Sequence, residues 1–265
     1  MRIALIQLQS GIDKTKNLEK TLSFCEEAAH RKAEFILLPE VFIFRGKIES
    51  RKHLAAISEP IEGGAITAIS AIAKDLKVSI LAGSIYEKVK NSSKVYNTSV
   101  LVGPDGRIKS IYRKKHLFDA NLKGRTVRES KTFLAGEKTS LAAVGEFKLG
   151  LSICFDLRFP EMYRSYSKHG ADLLCVPSAF TKETGEKHWE VLLRARAVEN
   201  LCYVLAPNQI GTDNRGITDY GHSLAVDPWG NVLAEGSAGK EEIIFASMDR
   251  KVVKQFRQKL PNFIK

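Results

Sequence analysis

Residues 147–161 read FKLGLSICFDLRFPE, a stretch that indicates a strand, a tight turn and a helix in succession. The apolar run Phe147–Ile153 predicts a buried strand. Pro160 predicts the start of a helix, because proline is favoured in the first helical turn. The turn between them would project Cys154 with unpaired backbone N–H groups nearby, as in a nucleophile elbow. A bare cysteine is more often a buried apolar side chain, so this stretch alone leaves both interpretations open.

Strand and helix patterns alternate on both sides of this stretch. The long amphipathic segments Lys14–Arg31 and Glu186–Asn200 predict helices. Residues 96–102 and 107–112 flank a Gly-Pro-Asp-Gly turn and predict a hairpin. No linker rich in proline, glycine or serine divides the chain. We therefore expect one α/β domain over residues 1–265, with either one mixed sheet or two packed sheets with helices outside.

Charge and composition limit the classes of partner. Lys and Arg outnumber Asp and Glu by 41 to 30, which gives a net charge of +11. The basic residues are scattered rather than interleaved with aromatic residues, so we expect no nucleic-acid binding. The charge is compatible with attraction of an acidic metabolite. No stretch reaches the ~18 apolar residues of a membrane span, and the first residues lack a signal-peptide pattern. We expect a cytoplasmic protein without a membrane partner.

The four cysteines are Cys25, Cys154, Cys175 and Cys202. They form no CxxC pair, which argues against a zinc site or a dithiol redox centre. Cys175 and Cys202 lie in or beside apolar strands, and Cys25 lies on an amphipathic helix. These three positions are typical of buried fillers. Cys154 is therefore the candidate nucleophile.

Two other segments bring charged residues next to predicted strands. The run FILLP at residues 35–39 leads into Glu40. Glu40 is either a surface residue or a general base whose pKa is raised toward neutrality by apolar neighbours. The segment YRKKHLF at residues 112–118 is either a solvated basic loop or the source of one fixed cation for an oxyanion. The residues themselves do not choose between Lys114 and Lys115.

Nearby charged residues allow two further interpretations. Cys154 could pair with His188 or His222 in a papain-like dyad. Asp156 and Arg158 could form an ion pair that holds the turn after Cys154, or each could be solvated.

Together, and in this order, the segments LLPE at Glu40, YRKKHLF at Lys114 and CFDLRFPE at Cys154 resemble the nitrilase superfamily of carbon–nitrogen hydrolases. The resemblance covers nearly the full chain and selects Lys114 as the catalytic lysine. It also matches Glu129 to a second glutamate that positions the lysine and the substrate. It implies an α-β-β-α sandwich of two mixed sheets with outer helices, pairing into a homodimer or a larger even assembly. It implies no metal and no organic cofactor.

Finer motifs resemble the Nit branch of this superfamily, which includes the amidase for deaminated glutathione and ω-amidase. They are HLFD at residues 116–119, PSAF at 177–180, TGEKHWEVLLRARAVEN at 184–200 and YGHSLAVDPWG at 220–230. Ser178 and the form FDLRFPE are closer to the deaminated-glutathione group, whereas residues 42–46 depart from both groups. The resemblance implies a thiol amidohydrolase that cleaves the terminal amide of a small carboxylated metabolite, with deaminated glutathione as the first substrate. The alternatives are an ω-amidase acting on α-ketoglutaramate or α-ketosuccinamate, and a non-catalytic binding protein.

The same resemblance implies a separate role for each of the site residues. Cys154 would attack the amide carbon, and Glu40 would transfer protons to form and hydrolyse a thioester. Lys114 and the N–H of Phe155 would stabilise the oxyanion, and Lys114 would favour the thiolate of Cys154.

Substrate contacts are indicated less directly by the sequence. Lys182 and Arg45 are candidates to bind a substrate carboxylate, on the basis of charge and position.

Overall fold

A computed structural model of the chain describes residues 1–122 and 124–261. In chain order its strands are β1 (Arg2–Gln7), β2 (Phe35–Leu37), β3 (Ser79–Lys88), β4 (Val95–Val102), β5 (Ile108–Arg113), β6 (Asp119–Leu122), β7 (Arg125–Arg128), β8 (Ser140–Val144), β9 (Phe147–Leu151), β10 (Leu173–Cys175), β11 (Tyr203–Ala206), β12 (Ile210–Thr212), β13 (Thr218–Tyr220), β14 (Leu224–Val226), β15 (Val232–Glu235) and β16 (Glu242–Ser247). Its helices are α1 (Lys14–His30), α2 (Arg51–Ile57), α3 (Gly64–Leu76), α4 (Pro160–Lys168), α5 (Lys182–Asn200) and α6 (Arg250–Lys259).

Within the described residues these strands form two six-stranded sheets and two separate hairpins. The first sheet has the order β16-β1-β2-β3-β4-β5, and the second has the order β15-β14-β11-β10-β9-β8. Both sheets are mixed, since parallel pairs such as β1–β2 and β9–β10 adjoin antiparallel pairs such as β3–β4 and β8–β9.

The burial pattern shows how the layers stack. Successive strand side chains point to opposite faces of a sheet. Leu5 and Leu37 of the first sheet share one apolar cluster with Leu149 of the second sheet. Ile6 and Ile36, from the opposite face of the first sheet, pack in another cluster with residues of α1 and α3. The sheets therefore face each other with helices outside, which confirms the α-β-β-α sandwich.

Three of the candidate catalytic segments follow the carboxyl ends of strands. Glu40 follows β2, Lys114 directly follows β5, and Cys154 follows β9. Because β2 and β5 belong to one sheet and β9 to the other, the packing of the two sheets decides whether these side chains meet.

Several boundaries differ from the sequence-based expectations. The hairpin of β4 and β5 is confirmed, with Thr98 paired to Arg113. The strand expected to reach Ile153 ends at Leu151, and α5 begins at Lys182, one turn before the expected start. Hydropathy along the described helices is too low, or the helices are too short, for any of them to span a membrane.

Candidate active site

Cys154 lies in a strained turn between the second sheet and α4. It begins a short 3₁₀ helix, Cys154–Arg158, with a φ angle of 47°. A non-glycine residue in this left-handed region costs roughly 1–2 kcal/mol, so neighbouring bonds must hold it. The Cys154 N–H donates to the carbonyl of Pro177 at 3.0 Å, and the N–H of Ser152 donates to the carbonyl of Cys175 at 3.0 Å. The expected elbow is therefore present.

Asp156 joins this elbow to the segment that carries the candidate lysine. Its carboxylate is fully buried and accepts hydrogen bonds from the Ile153 N–H at 2.9 Å and the Tyr112 hydroxyl at 2.7 Å. It also accepts from the His116 N–H at 2.9 Å, and the His116 Nδ1 lies 2.7 Å away. Neither of the two interpretations left open by the sequence holds for Asp156: these groups occupy its carboxylate in place of Arg158, and its burial excludes a solvated carboxylate.

Glu40, Lys114 and Glu129 meet in one hydrogen-bonded cluster. The Lys114 Nζ, on a side chain that is 1% exposed, lies 3.0 Å from the Glu40 Oε1 and 3.0 Å from the Glu129 Oε1. Glu40 also accepts hydrogen bonds from the Asn97 Nδ2 and the Ala179 N–H, each at 2.8 Å. These contacts fix the position of each charged group before a substrate binds.

A cavity of about 390 Å³ connects this cluster to the elbow. Cys154, Glu40, Lys114 and Glu129 all line it. One wall comes from segments of the first sheet and includes Glu40, Val41, Arg45, Ile48, Tyr86 and Asn97. The other wall comes from segments around the second sheet and includes Cys154, Phe155, Arg158, Ala179, Phe180 and Thr184. The four candidate catalytic residues thus converge on a single space.

The protonation states differ from the sequence-based expectations. Burial raises the pKa of Glu40, but the charge and hydrogen bond of Lys114 and a hydrogen bond from Cys154 lower it, and the net shift is downward. The expected upward shift is therefore wrong. Burial and the Glu40 charge raise the pKa of the Cys154 thiol well above its usual value, although Lys114 opposes them. Lys114 favours the thiolate, as expected, but burial and Glu40 outweigh it, so in the free protein Cys154 is a neutral thiol beside an ionised carboxylate.

A model of the carbon-nitrogen hydrolase family matches residues 2–258 of this chain. The chain belongs to the carbon-nitrogen hydrolase family. It is accordingly a hydrolase that acts on carbon–nitrogen bonds other than peptide bonds.

Individual relatives of this carbon-nitrogen hydrolase place it in the Nit branch. It is 39% identical over 264 residues to the human protein named omega-amidase NIT2. This match covers 99% of this chain and 93% of the relative. It is also 39% identical over 267 residues to a deaminated glutathione amidase of Synechocystis. This match covers 98% of this chain and 95% of that relative. The crystal structure of Saccharomyces cerevisiae Nit3, a member of branch 10 of the nitrilase superfamily, superposes with a TM-score of 0.87 at 34% identity, covering 99% of this chain and 94% of Nit3.

The two residues expected to bind a substrate carboxylate differ in their position relative to the cavity of this carbon-nitrogen hydrolase. Arg45 lines the cavity, but its guanidinium makes two hydrogen bonds to Asp219, at 2.8 and 2.6 Å. Lys182 lies outside this cavity in the first turn of α5, with its side chain 61% exposed and 3.8 Å from Glu186. Both differ from expectation because the charge pattern of a sequence does not show which cations are already paired.

Arg158 is the cavity cation that sequence reasoning missed. Its guanidinium lies over the rings of Phe155 and Phe180, and its Nη2 is 3.2 Å from the Nδ1 of His188. No carboxylate of the described residues pairs with it, and burial lowers its pKa. Its place in the motif CFDLRFPE, four residues after Cys154, is the signal that could have indicated it.

The two histidines of the alternative dyad lie elsewhere. His188 is exposed beside Arg158, and the Nδ1 of His222 is 2.7 Å from the Glu235 Oε1. Neither histidine lines the cavity that contains Cys154. A papain-like arrangement is therefore absent from the described residues.

Proposed function

We propose that this protein is a thiol amidohydrolase that cleaves the terminal amide of deaminated glutathione, with Cys154 as the nucleophile. The observation that carries the proposal is the convergence of Cys154, Glu40, Lys114 and Glu129 on one cavity. A nucleophile, a proton acceptor and a fixed cation at this spacing are the groups that amide hydrolysis requires.

The first half-reaction forms a thioester. As the Cys154 sulfur attacks the amide carbon, its proton passes to Glu40, which suits a neutral thiol beside an ionised carboxylate. Negative charge develops on the former carbonyl oxygen and is stabilised by Lys114 and by the N–H of Phe155. Phe155 lies in the first turn of the 3₁₀ helix, so its N–H has no partner within that helix. The C–N bond then breaks as Glu40 returns the proton to the leaving nitrogen.

The second half-reaction hydrolyses the thioester. Glu40, ionised again, takes a proton from a water molecule that attacks the thioester carbon. Collapse of the resulting oxyanion breaks the C–S bond, and the proton returns from Glu40 to the Cys154 sulfur. Glu129 holds the Lys114 ammonium through both steps with a hydrogen bond of 3.0 Å.

The size and charge of the cavity support the choice of substrate. A space of about 390 Å³ lies in the range of pockets that bury drug-sized ligands, roughly 300–1,000 Å³, and so has room for an amide with a bulky amine. Deaminated glutathione and α-ketoglutaramate share the α-ketoglutaryl group and differ in the amine, which is cysteinylglycine or ammonia. Arg158, a cavity arginine beside Cys154 without a described carboxylate partner, would bind the shared α-carboxylate.

Release of α-ketoglutarate, the acid product common to both substrates, tests the proposal. We expect kcat/KM for deaminated glutathione to exceed that for α-ketoglutaramate by at least about tenfold, which is about 1.4 kcal/mol of extra transition-state binding. Comparable or reversed values would instead favour the ω-amidase. Cys154→Ala should release no α-ketoglutarate from either amide, whereas retained turnover would contradict the nucleophile. Absence of turnover by the wild type would favour the non-catalytic alternative.

We also propose a cytoplasmic homodimer. The four cysteines are free thiols in the structure, as expected in a reducing compartment.

Val191 and Val198 of α5 are 60% and 43% exposed, and Trp229 is 48% exposed. A Cβ at Gly230 would lie 2.7 Å from Val198, so the turn that carries Trp229 adjoins α5. An exposed apolar patch of this kind is typical of a protein–protein interface, and a second copy presents the same patch around a twofold axis.

A further inference from the structure

We propose that the wall of the cavity formed by the first sheet is a leaving-group subsite, in which the Tyr86 hydroxyl binds a carbonyl or carboxylate oxygen of a bulky amine such as a dipeptide. The inference rests on the proposed function and concerns the half of the substrate that departs as the amine. It assigns the choice between N-substituted and primary amides to a specific residue.

Tyr86 is a fixed side chain with an unpaired polar end. It is 8% exposed and lines the cavity. Its ring packs edge-on against Phe44 and Phe133, with centroid distances of 6.0 and 5.1 Å. No described residue forms a hydrogen bond with its hydroxyl. The hydroxyl is not among the buried atoms that lack a partner, so it is open to the cavity. A ligand oxygen that reaches it can therefore accept its hydrogen bond.

The position of Tyr86 relative to Glu40 identifies the half of the substrate that reaches it. Tyr86 on β3 pairs with Asn97 on β4, and the Asn97 Nδ2 donates to the Glu40 Oε1 at 2.8 Å. Glu40 returns the proton to the leaving nitrogen, so this nitrogen lies beside Glu40 during the reaction. Arg158, the proposed partner of the acid half, lies on the opposite wall. A substituent on the nitrogen therefore extends along the first-sheet wall toward Tyr86.

The charges around this wall favour an acceptor-bearing amine. Arg45 and Arg215 also line the cavity. Arg45 is paired with Asp219, and Arg215 is paired with Asp213 through its Nε at 2.9 Å. The Asp213 and Asp219 carboxylates do not line the cavity, so the two guanidinium groups are the charges that an amine meets there, and they attract a dipeptide carboxylate or carbonyl. An ammonium group on the amine would instead face two guanidinium groups at the cavity surface.

The ratio of kcat/KM for deaminated glutathione to that for α-ketoglutaramate measures how much the subsite contributes to binding of the amine, because the acid half is the same in both substrates. Tyr86→Phe removes one hydrogen bond and should lower the ratio by roughly 3- to 10-fold. Tyr86→Trp extends into the space of the amine and should lower the ratio further, by at least about tenfold. Tyr96→Phe is the matched control, since Tyr96 lies on β4 beneath the Arg113 guanidinium and outside the cavity lining. It should retain the wild-type ratio.

The outcomes separate this inference from the proposed function. Turnover by the wild type, with an unchanged ratio in both Tyr86 variants, would overturn the subsite and leave the amidase intact. A ratio that falls equally in the Tyr96 control would also overturn it, because the effect would then not belong to the cavity. Absence of turnover of either amide by the wild type would overturn both proposals.

Discussion

Two residues of the site adopt a left-handed backbone conformation: Val41, which follows Glu40, with a φ angle of 51°, and Cys154 itself, with a φ angle of 47°. Such angles are costly for a β-branched residue or a cysteine and persist where the surroundings hold them. The Val41 N–H donates to the Ser84 hydroxyl at 2.9 Å, and the Cys154 N–H donates to the Pro177 carbonyl at 3.0 Å. The strain and its restraints fix the carboxylate and the sulfur before a substrate binds.

The charge of Glu40 gives a prediction for the reactivity of Cys154. Burial and the Glu40 carboxylate raise the thiol pKa and Lys114 lowers it, so Glu40→Gln removes the largest of the charges that oppose the lysine, while burial and Glu129 still oppose it. We expect the pH at half-maximal iodoacetamide labelling to lie above 9.0, the usual thiol value, in the wild type. It should fall in Glu40→Gln even though that variant loses turnover. Mass spectrometry of the Cys154 peptide over a pH series measures both midpoints.

The other cysteines provide internal controls for that experiment. Cys25 and Cys202 are fully buried, and burial raises the pKa of each to about 12. Their labelling should remain slow in both proteins. A midpoint that stays fixed or rises in Glu40→Gln would contradict the electrostatic coupling between Glu40 and Cys154.

At the residue scale, the sequence predicted which side chains would lie together. The three motifs and the order of Glu40, Lys114 and Cys154 were sufficient for this. The expected upward pKa shift of Glu40 was wrong, and the lowering of the Cys154 pKa by Lys114 was right in direction but outweighed by burial and Glu40. Such balances depend on how deeply each group is buried and on how far it lies from its partners, and a motif contains neither quantity. The pairing of Arg45 with Asp219 was missed for a similar reason, since the partners are 174 residues apart.

At the scale of elements, Asp156 links the 3₁₀ helix of the elbow to the segment that follows β5. Asp156→Asn removes a buried charge that accepts bonds from Ile153, Tyr112 and His116. We expect the free energy of unfolding to fall by about 2–4 kcal/mol. We also expect kcat to fall, because the Lys114 segment loses its register against Cys154. Denaturant unfolding and α-ketoglutarate release measure the two effects.

Asp172 offers a matched control in the same chain. It is 2% exposed and accepts hydrogen bonds from the Lys148 N–H and the Arg250 Nε, each at 3.0 Å, outside the cavity lining. Asp172→Asn should lose comparable stability and keep the wild-type kcat. An Asp156→Asn protein that is less stable but has unchanged kcat would show that the link is structural only.

Helices and strands were predicted most accurately where a regular hydrophobic pattern extends over many residues. Helices α1 and α5 and the hairpin of β4 and β5 were anticipated within a few residues. The hairpin of β6 and β7, which immediately precedes Glu129 in the cavity wall, was not. Its strands are only four residues each, DANL and RTVR, and the second has a single apolar residue, so the pattern is too short to indicate a hairpin. Their pairing depends on tertiary contacts rather than on local pattern.

At the scale of the whole molecule, the two-sheet sandwich follows from apolar strands that are buried on both faces. The residue pattern alone left open one sheet or two, because periodicity does not state which strands are neighbours. The resemblance to the nitrilase superfamily settled that choice correctly. The shape of the cavity could not be anticipated, since its walls come from segments as distant in sequence as Glu40 and Thr184.

The exposed apolar face of α5 gives a prediction for assembly. Val191→Glu introduces a charge at the centre of the proposed interface, where its burial would be unfavourable. We expect its molar mass by light scattering to be half that of the wild type, with an unchanged circular dichroism spectrum. Glu186→Lys, an exposed substitution one turn earlier on the same helix, is the control for charge alone. A monomeric wild type, or a dimeric Val191→Glu protein, would contradict the interface.

The antiparallel pairing of β1 with β16 places Arg2 opposite Ser247. In a growing polypeptide, β1 leaves the ribosome long before β16 and therefore waits for it before the sheet is complete. Until then, the edge of β1 offers open backbone groups, which chaperones or neighbouring nascent chains can occupy. The same proximity brings Met1 next to Met248, whose carbonyl accepts a hydrogen bond from the terminal ammonium at 2.9 Å. A circularly permuted gene that starts in an exposed loop would make β16 and β1 in succession and shorten that wait.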